Sequence, residues 1–233
     1  MKALFPILFL WSTAIVACNG SDSTVNADRQ EIGGHCDTLV QYAGESICLP
    51  IVSGWKEGID NPRLENRRGA LVDSSNITFA VYLSEKSWAL GRELQNAVLN
   101  DYFKVYATKA GEKFKVKAEQ LALFNKEFNG SAMRAQWSDI ESYFKGKYTD
   151  VNLGQPVLME SHQPKMGIES NVYLIRGEIE GKEMFTLMTV SLCVVKERLL
   201  LVAHYIEYHG SASVSSAKSK SDYFTLRLLA ENE

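Results

Sequence analysis

The stretch "MFTLMTVSLCVV", residues 184–195, constrains the fold more than any other. A β-strand sends successive side chains to opposite faces. Here both alternating sets are apolar. Met184, Met188, Val190, Leu192 and Val194 point one way, and Phe185, Leu187, Cys193 and Val195 the other. Residues 199–208 behave in the same way. A strand that is apolar on both faces has to be covered on both. The segments "EIEGKE" and "VKER" are reversals short enough for hairpins, and Gly181 supplies the permissive backbone the first one wants. Hairpins make the sheet antiparallel, so helices have to supply the covers. The expected fold class is therefore α/β, an antiparallel sheet sandwiched between helices.

Candidate covers and further strands can be read along the chain. Residues 214–230 place Ala217, Ser221, Phe224 and Leu228 on one helical face. Leu90, Leu94, Val98, Tyr102 and Val105 recur at three or four residues, which predicts a helix over 85–107 capped by Ser84 or Ser87. Two shorter helices are expected at 118–128 and 138–148. "NITFAVYLS", residues 76–84, predicts a strand with Ile77, Phe79, Val81 and Leu83 on one side. "ESICLPIVSGW" predicts a strand, a turn at 50–54 and then Trp55.

The N-terminus predicts an address. Lys2 is followed by a mostly apolar run over 3–17, shorter than the roughly 20 residues a membrane-spanning helix needs. A basic start, a short apolar middle and a small residue before a cut site form a secretory signal. Ile15-Val16-Ala17-Cys18 resembles a bacterial lipobox. The resemblance implies cleavage before Cys18 and acylation of its sulfur, with palmitate as a label, and membrane attachment through that lipid. Asn19 in place of Asp leans toward the outer membrane with the protein facing the periplasm. An inner-membrane or Gram-positive surface location stays open. Residues 1–17 are thus a lipoprotein signal peptide. Residues 18–34 are a polar, flexible tether, and residues 35–233 a single α/β sandwich domain.

Four cysteines suit an oxidising compartment. With Cys18 lipidated, three remain. Cys36 and Cys48 flank two short strands around a turn at 43–45, so they are the expected disulfide, and Cys193 is a small core hydrophobe.

The order of elements, "CLPIVSGW", a strand into a helix, then "LLLVAHYIEYHG" into "DYFTLRLLAEN", resembles the Mog1/PsbP-like sandwich, a group that includes bacterial lipoproteins of the DcrB type. The resemblance covers most of residues 46–233 and carries no invariant chemical motif. It implies an antiparallel sheet between helices and a role in binding proteins rather than catalysis. The group also includes cytosolic chaperones for secreted toxins; an exported chain departs from them, so that role is not carried over.

No familiar catalytic pattern is present: no G-x-S-x-G, H-E-x-x-H, C-x-x-C or P-loop. In "HYIEYH", His204 and Glu207 project to opposite faces of a strand, so no metal site is expected there. His204 is instead a hydrogen-bonded core or groove histidine. His35 sits beside Cys36, but chain neighbours rarely meet as base and nucleophile. Trp88 and Trp137 are expected in the core. Net charge is −3, which gives no support for nucleic-acid binding. No cofactor is expected and the chain is not expected to be an enzyme.

These readings favour a lipid-anchored, non-enzymatic protein-binding module of the cell envelope, such as an assembly factor. An immunity protein that neutralises a periplasm-acting toxin is one alternative, and a hydrolase with a scattered site is another. The candidate binding surface is the long connection after Trp55, which holds Arg63, Arg67 and Arg68. Arginine suits bidentate contact with carboxylates, and Trp55 can anchor an interface. The alternative is an edge strand with solvated arginines and Trp55 in the core.

Overall fold

The computed structural model describes residues 36–59, 76–90, 101–133, 150–179 and 181–233, with Trp137, Glu141, Ser142 and Lys145 as separate helical positions. Cys18, Arg63, Arg67 and Arg68 lie outside the described residues, as do the signal, the tether and most of the helix expected at 138–148.

A hairpin comes first, β1 (Cys36–Tyr42) and β2 (Glu45–Pro50). Its turn uses Ala43 and Gly44, both at positive φ, the geometry that matches the right-handed twist of paired strands. The main sheet follows: β3 (Trp55–Glu57), β4 (Asn76–Ser84), β5 (Asp101–Thr108), β6 (Val151–Leu153), β7 (Val157–Lys165), β8 (Ile168–Ile179), β9 (Lys182–Val195) and β10 (Arg198–Glu207). Its order is β3-β4-β5-β10-β9-β8-β6, with β7 also on β8, and the pairs are antiparallel. The helices are α1 (Glu85–Ala89), α2 (Leu121–Glu127) and α3 (Ser211–Ala230). Ser84 caps α1 by accepting from the Ser87 amide, as expected.

Both faces of β9 are covered. Cys193 and Val195 pack in one cluster with Phe79, Phe103, Val202, Phe224 and Leu228. Met188, Val190, Leu192 and Val194 pack in another with Leu121, Phe128, Trp137 and Tyr173. α3 and the β1–β2 hairpin close the first face, and α2 with the π-turn Phe128–Ala132 lies on the second. The expected buried stripe of α3 is present: Ala217, Ser221, Phe224 and Leu228 are all buried.

Two expectations are corrected. Residues 101–108 form strand β5, not the end of a long helix, so Tyr102 and Val105 sit on a strand. Phe103, Val105 and Ala107 alternate and are fully buried, and β5 is hydrogen-bonded on both sides, to β4 and β10. Burial between two strands outweighs the coincidental helical spacing. In β4, the register shifts between Thr78 and Ala80. This bulge changes the phase of the alternation: Phe79, Ala80 and Tyr82 join the first cluster, whereas Val81 and Leu83 pack with Trp88 and Tyr102. β6 and β7 were not foreseen.

Arg198 fastens the hairpin to the sheet. It is 8% exposed, and it donates to the carbonyls of Ala43 at 2.6 Å and Phe114 at 3.1 Å. It therefore holds the turn of β1–β2 against the 3₁₀ segment Lys109–Lys113 that follows β5.

Candidate functional site

The register of β5 and β10 builds a polar cluster inside the first face. Phe103 lies opposite His204, so the two rings stack at 4.0 Å between centroids. Asp101 is two residues from Phe103, hence on the same side of β5, and reaches the imidazole diagonally. Its Oδ1 is 2.9 Å from His204 Nε2. α3 crosses this face and supplies two consecutive residues. Ser221 Oγ is 3.1 Å from His204 Nδ1, and Lys220 Nζ donates to Asp101 Oδ2 at 2.6 Å. Trp55, on edge strand β3, closes the cluster. Its ring meets Phe103 edge-on at 4.6 Å and His204 at 5.8 Å, and the Lys220 ammonium stands 5.6 Å from its centroid, within cation–π range.

The protonation pattern follows from these contacts. Burial holds the His204 pKa below the usual histidine value, although the Asp101 carboxylate pulls the other way. For Asp101, partial burial pushes the pKa up, but hydrogen bonds from His204 and Lys220 outweigh it and hold it low. Asp101 is thus a carboxylate and His204 a neutral imidazole. A carboxylate can only accept, so Nε2 carries the proton, and Nδ1 accepts from the Ser221 hydroxyl.

Serine, histidine and aspartate together suggest a nucleophilic triad, and their access argues against one. Both Ser221 and His204 are 1% exposed. The hydroxyl donates to a histidine packed under Phe103 and has no open side from which a carbonyl carbon could approach. What reaches solvent is the rim: the side chains of Asp101 at 24% and Lys220 at 39%, beside half-buried Trp55.

Of the residues singled out in the sequence, Trp55 is at this rim and also partly in the core, packed against the first cluster. His204 is a hydrogen-bonded core histidine, as expected. Cys36 and Cys48 form a disulfide-capable pair with Cα atoms 5.5 Å apart. Cys193 is buried, and burial pushes its thiol pKa far up, which suits a packing role. Among the described residues, no group of three or more His, Cys, Asp or Glu side chains could hold a metal ion. Asp101, Lys220 and Ser221 were missed as partners of His204. Asp101 and His204 are 103 positions apart, and only the pairing of β5 with β10 brings them together. The usable signal was local: "DYFKVYAT" alternates at period two.

No family model matches the chain, and no curated protein matches it. Among solved structures it is similar to a point mutant of protein Mog1, at 12% identity over 83% of this chain and 90% of that one, with a TM-score of 0.30. It is also similar to the Ran-binding protein Mog1p of Saccharomyces cerevisiae, at 11% identity over 82% and 90%, with a TM-score of 0.29. At these scores the fold description rests on this chain's own strands and helices.

Proposed function

We propose that this chain is a lipid-anchored, non-enzymatic protein-binding module of the bacterial cell envelope. It is held at the outer membrane by acylated Cys18 and faces the periplasm. The observation that carries the reading is the sealed serine–histidine–aspartate cluster. Its nucleophile candidate is enclosed in the core, while the aromatic and charged groups above it stay at the surface. A half-buried tryptophan beside a lysine and a carboxylate is the kind of rim on which an interface anchor sits. The described chain on that side runs four residues past Trp55, to Ile59, and the arginine-rich connection follows in sequence, so Trp55 with Arg63, Arg67 and Arg68 is the proposed docking surface for an acidic partner.

Three measurements test this. Labelled palmitate enters the wild-type chain and not Cys18→Ala; label retained by the variant would remove the anchor from the proposal. Affinity capture from detergent-solubilised envelopes recovers a specific partner, and Arg67→Glu with Arg68→Glu weakens capture while the melting temperature stays within a few degrees. Turnover of an envelope substrate without a specific partner would replace binding by catalysis. The Cys36–Cys48 pair is oxidised in this setting. Closing a loop of this size stabilises by about 3 kcal/mol in the loop-entropy model. Cys48→Ser should therefore gain one free thiol and lower the unfolding midpoint; a count that instead falls by one would show that the pair is reduced.

A further inference from the structure

We propose that the outer edge of β7 is a self-association site, on which a second copy of this chain pairs strand to strand.

Among the described residues the backbone of β7 pairs only with β8. Its other side carries the unpaired N–H and C=O groups of a sheet edge, which an extended chain complements. The two halves of the strand differ. Val157, Leu158 and Met159 are 58%, 44% and 47% exposed. Because they are consecutive, neither face of the strand is covered there. From residue 160 onward the polar side chains are engaged within the molecule. Glu160 accepts from Lys218, His162 meets Asp222 at 2.7 Å, and Lys165 donates to Glu233 at 2.6 Å. On the remaining positions, Ser161 donates to Asn171 at 2.7 Å and Gln163 to Glu169 at 2.9 Å. Edge strands are commonly guarded by free charge, and here each charge of the strand is already paired.

The apolar triplet is complementary to itself. In an antiparallel pair with Leu158 on the two-fold axis, Val157 opposes Met159 of the other copy. Pro156 then opposes Glu160, and Gln155 opposes Ser161, so no like charges face each other. The same patch serves both copies, which makes the contact isologous and closes it at two. Pro156 and Pro164 lack an amide donor, and the register shift between Leu158 and Glu160 interrupts the ladder. The ladder is therefore short, and the dimer is reversible and concentration-dependent. At the opposite edge β3 is three residues long and offers no comparable run.

The test uses the full-length chain in mild detergent. Sedimentation velocity over rising concentration should show a monomer–dimer equilibrium. Leu158→Lys, which sets like charges together on the axis, should weaken association by at least about a hundredfold at an unchanged melting temperature. Leu158→Cys should give a disulfide-linked dimer under non-reducing electrophoresis, and Met159→Cys much less of it, because only residue 158 meets its own copy. A chain that stays monomeric at its highest soluble concentration would overturn the proposal. So would a dimer that persists in Leu158→Lys without cross-linking of Leu158→Cys, since the contact would then lie elsewhere. Should Leu158→Lys unfold, the cross-linking pair decides alone. None of these outcomes depends on Trp55 or the arginines.

Discussion

On one face of the sheet, α3 lays Phe224 against Phe103 with ring centroids 4.6 Å apart, and Phe103 in turn stacks on His204. On the other face, α2 and its π-turn meet β8 through amides. Asn171 donates to Asn125 at 2.6 Å and accepts from Asn129 at 2.9 Å, and Tyr173 donates to Asn129. The first face sets one titratable cluster within a large aromatic and aliphatic core. The second adds to its apolar packing a ladder of amide hydrogen bonds, which ends where Asn125 donates to Glu169 at 3.3 Å. The directional bonds of the first face involve charged or titratable groups of α3, whereas those of the second come mainly from amides of α2 and its π-turn.

The largest effect should come from the aromatic stack. Phe103 is fully buried and touches His204, Phe224 and Trp55. Phe103→Ala should cost about 3–5 kcal/mol, because the cavity removes contacts on three sides. Urea denaturation checks it, and a loss near 1 kcal/mol would mean that the stack is not the centre of this face. On the second face, Asn171→Leu should cost about 1–3 kcal/mol, since buried Asn125 loses its donor and Asn129 and Ser161 lose their acceptor. A neutral result would show that packing alone seats α2.

The two faces also differ in what the sequence made legible. The cover by α3 followed from periodicity alone, and so did both faces of β9, because an apolar pattern states which side chains are hidden. The asparagine ladder left no such trace. Asn125, Asn129 and Asn171 are ordinary surface residues by type, and their meeting depends on how α2 is laid on β8. β7 was illegible for a related reason: its first half is exposed on both faces, so it has no alternation to find. Asp101 was hidden by the helix expected over 85–107, which placed it on the wrong kind of element.

Acid should separate the faces. His204 is neutral in the folded protein with its pKa held below the usual value, whereas in the unfolded chain it takes up a proton near about pH 6.5. Above that pH neither state binds the proton and its stabilising contribution is complete. As pH falls below it, the unfolded state gains a proton that the folded state resists, so stability drops. Asp101 contributes in the same direction further down: its folded pKa is low, and its contribution is lost as pH falls below the ordinary carboxylate range, about 3.9 in the unfolded chain. Denaturation midpoints should therefore fall between about pH 7 and pH 5 in the wild type and change less in His204→Gln. The Asn171→Leu variant, altered on the other face and away from His204 and Asp101, should keep the wild-type slope. An unchanged slope in His204→Gln would assign the acid sensitivity to other groups.

The smallest expected effect has the opposite sign. Thr189 is fully buried, pairs across the sheet with His204 on one side and Val172 on the other, and its hydroxyl has no hydrogen-bond partner among the described residues. An unpaired hydroxyl in a dry core is destabilising, because its bonds to water are lost and not replaced. Its neighbours use their polar groups elsewhere: Ser170 and Ser191 bond to each other at 2.8 Å, and both ring nitrogens of His204 are engaged. Valine has the same branched shape and the higher strand preference. Thr189→Val should therefore raise stability by up to about 1 kcal/mol. The acid slope should stay as in the wild type, since no bond to His204 is removed. A loss of stability would mean that the hydroxyl serves the histidine cluster after all, and that this cluster extends one strand further than Asp101, His204, Lys220 and Ser221.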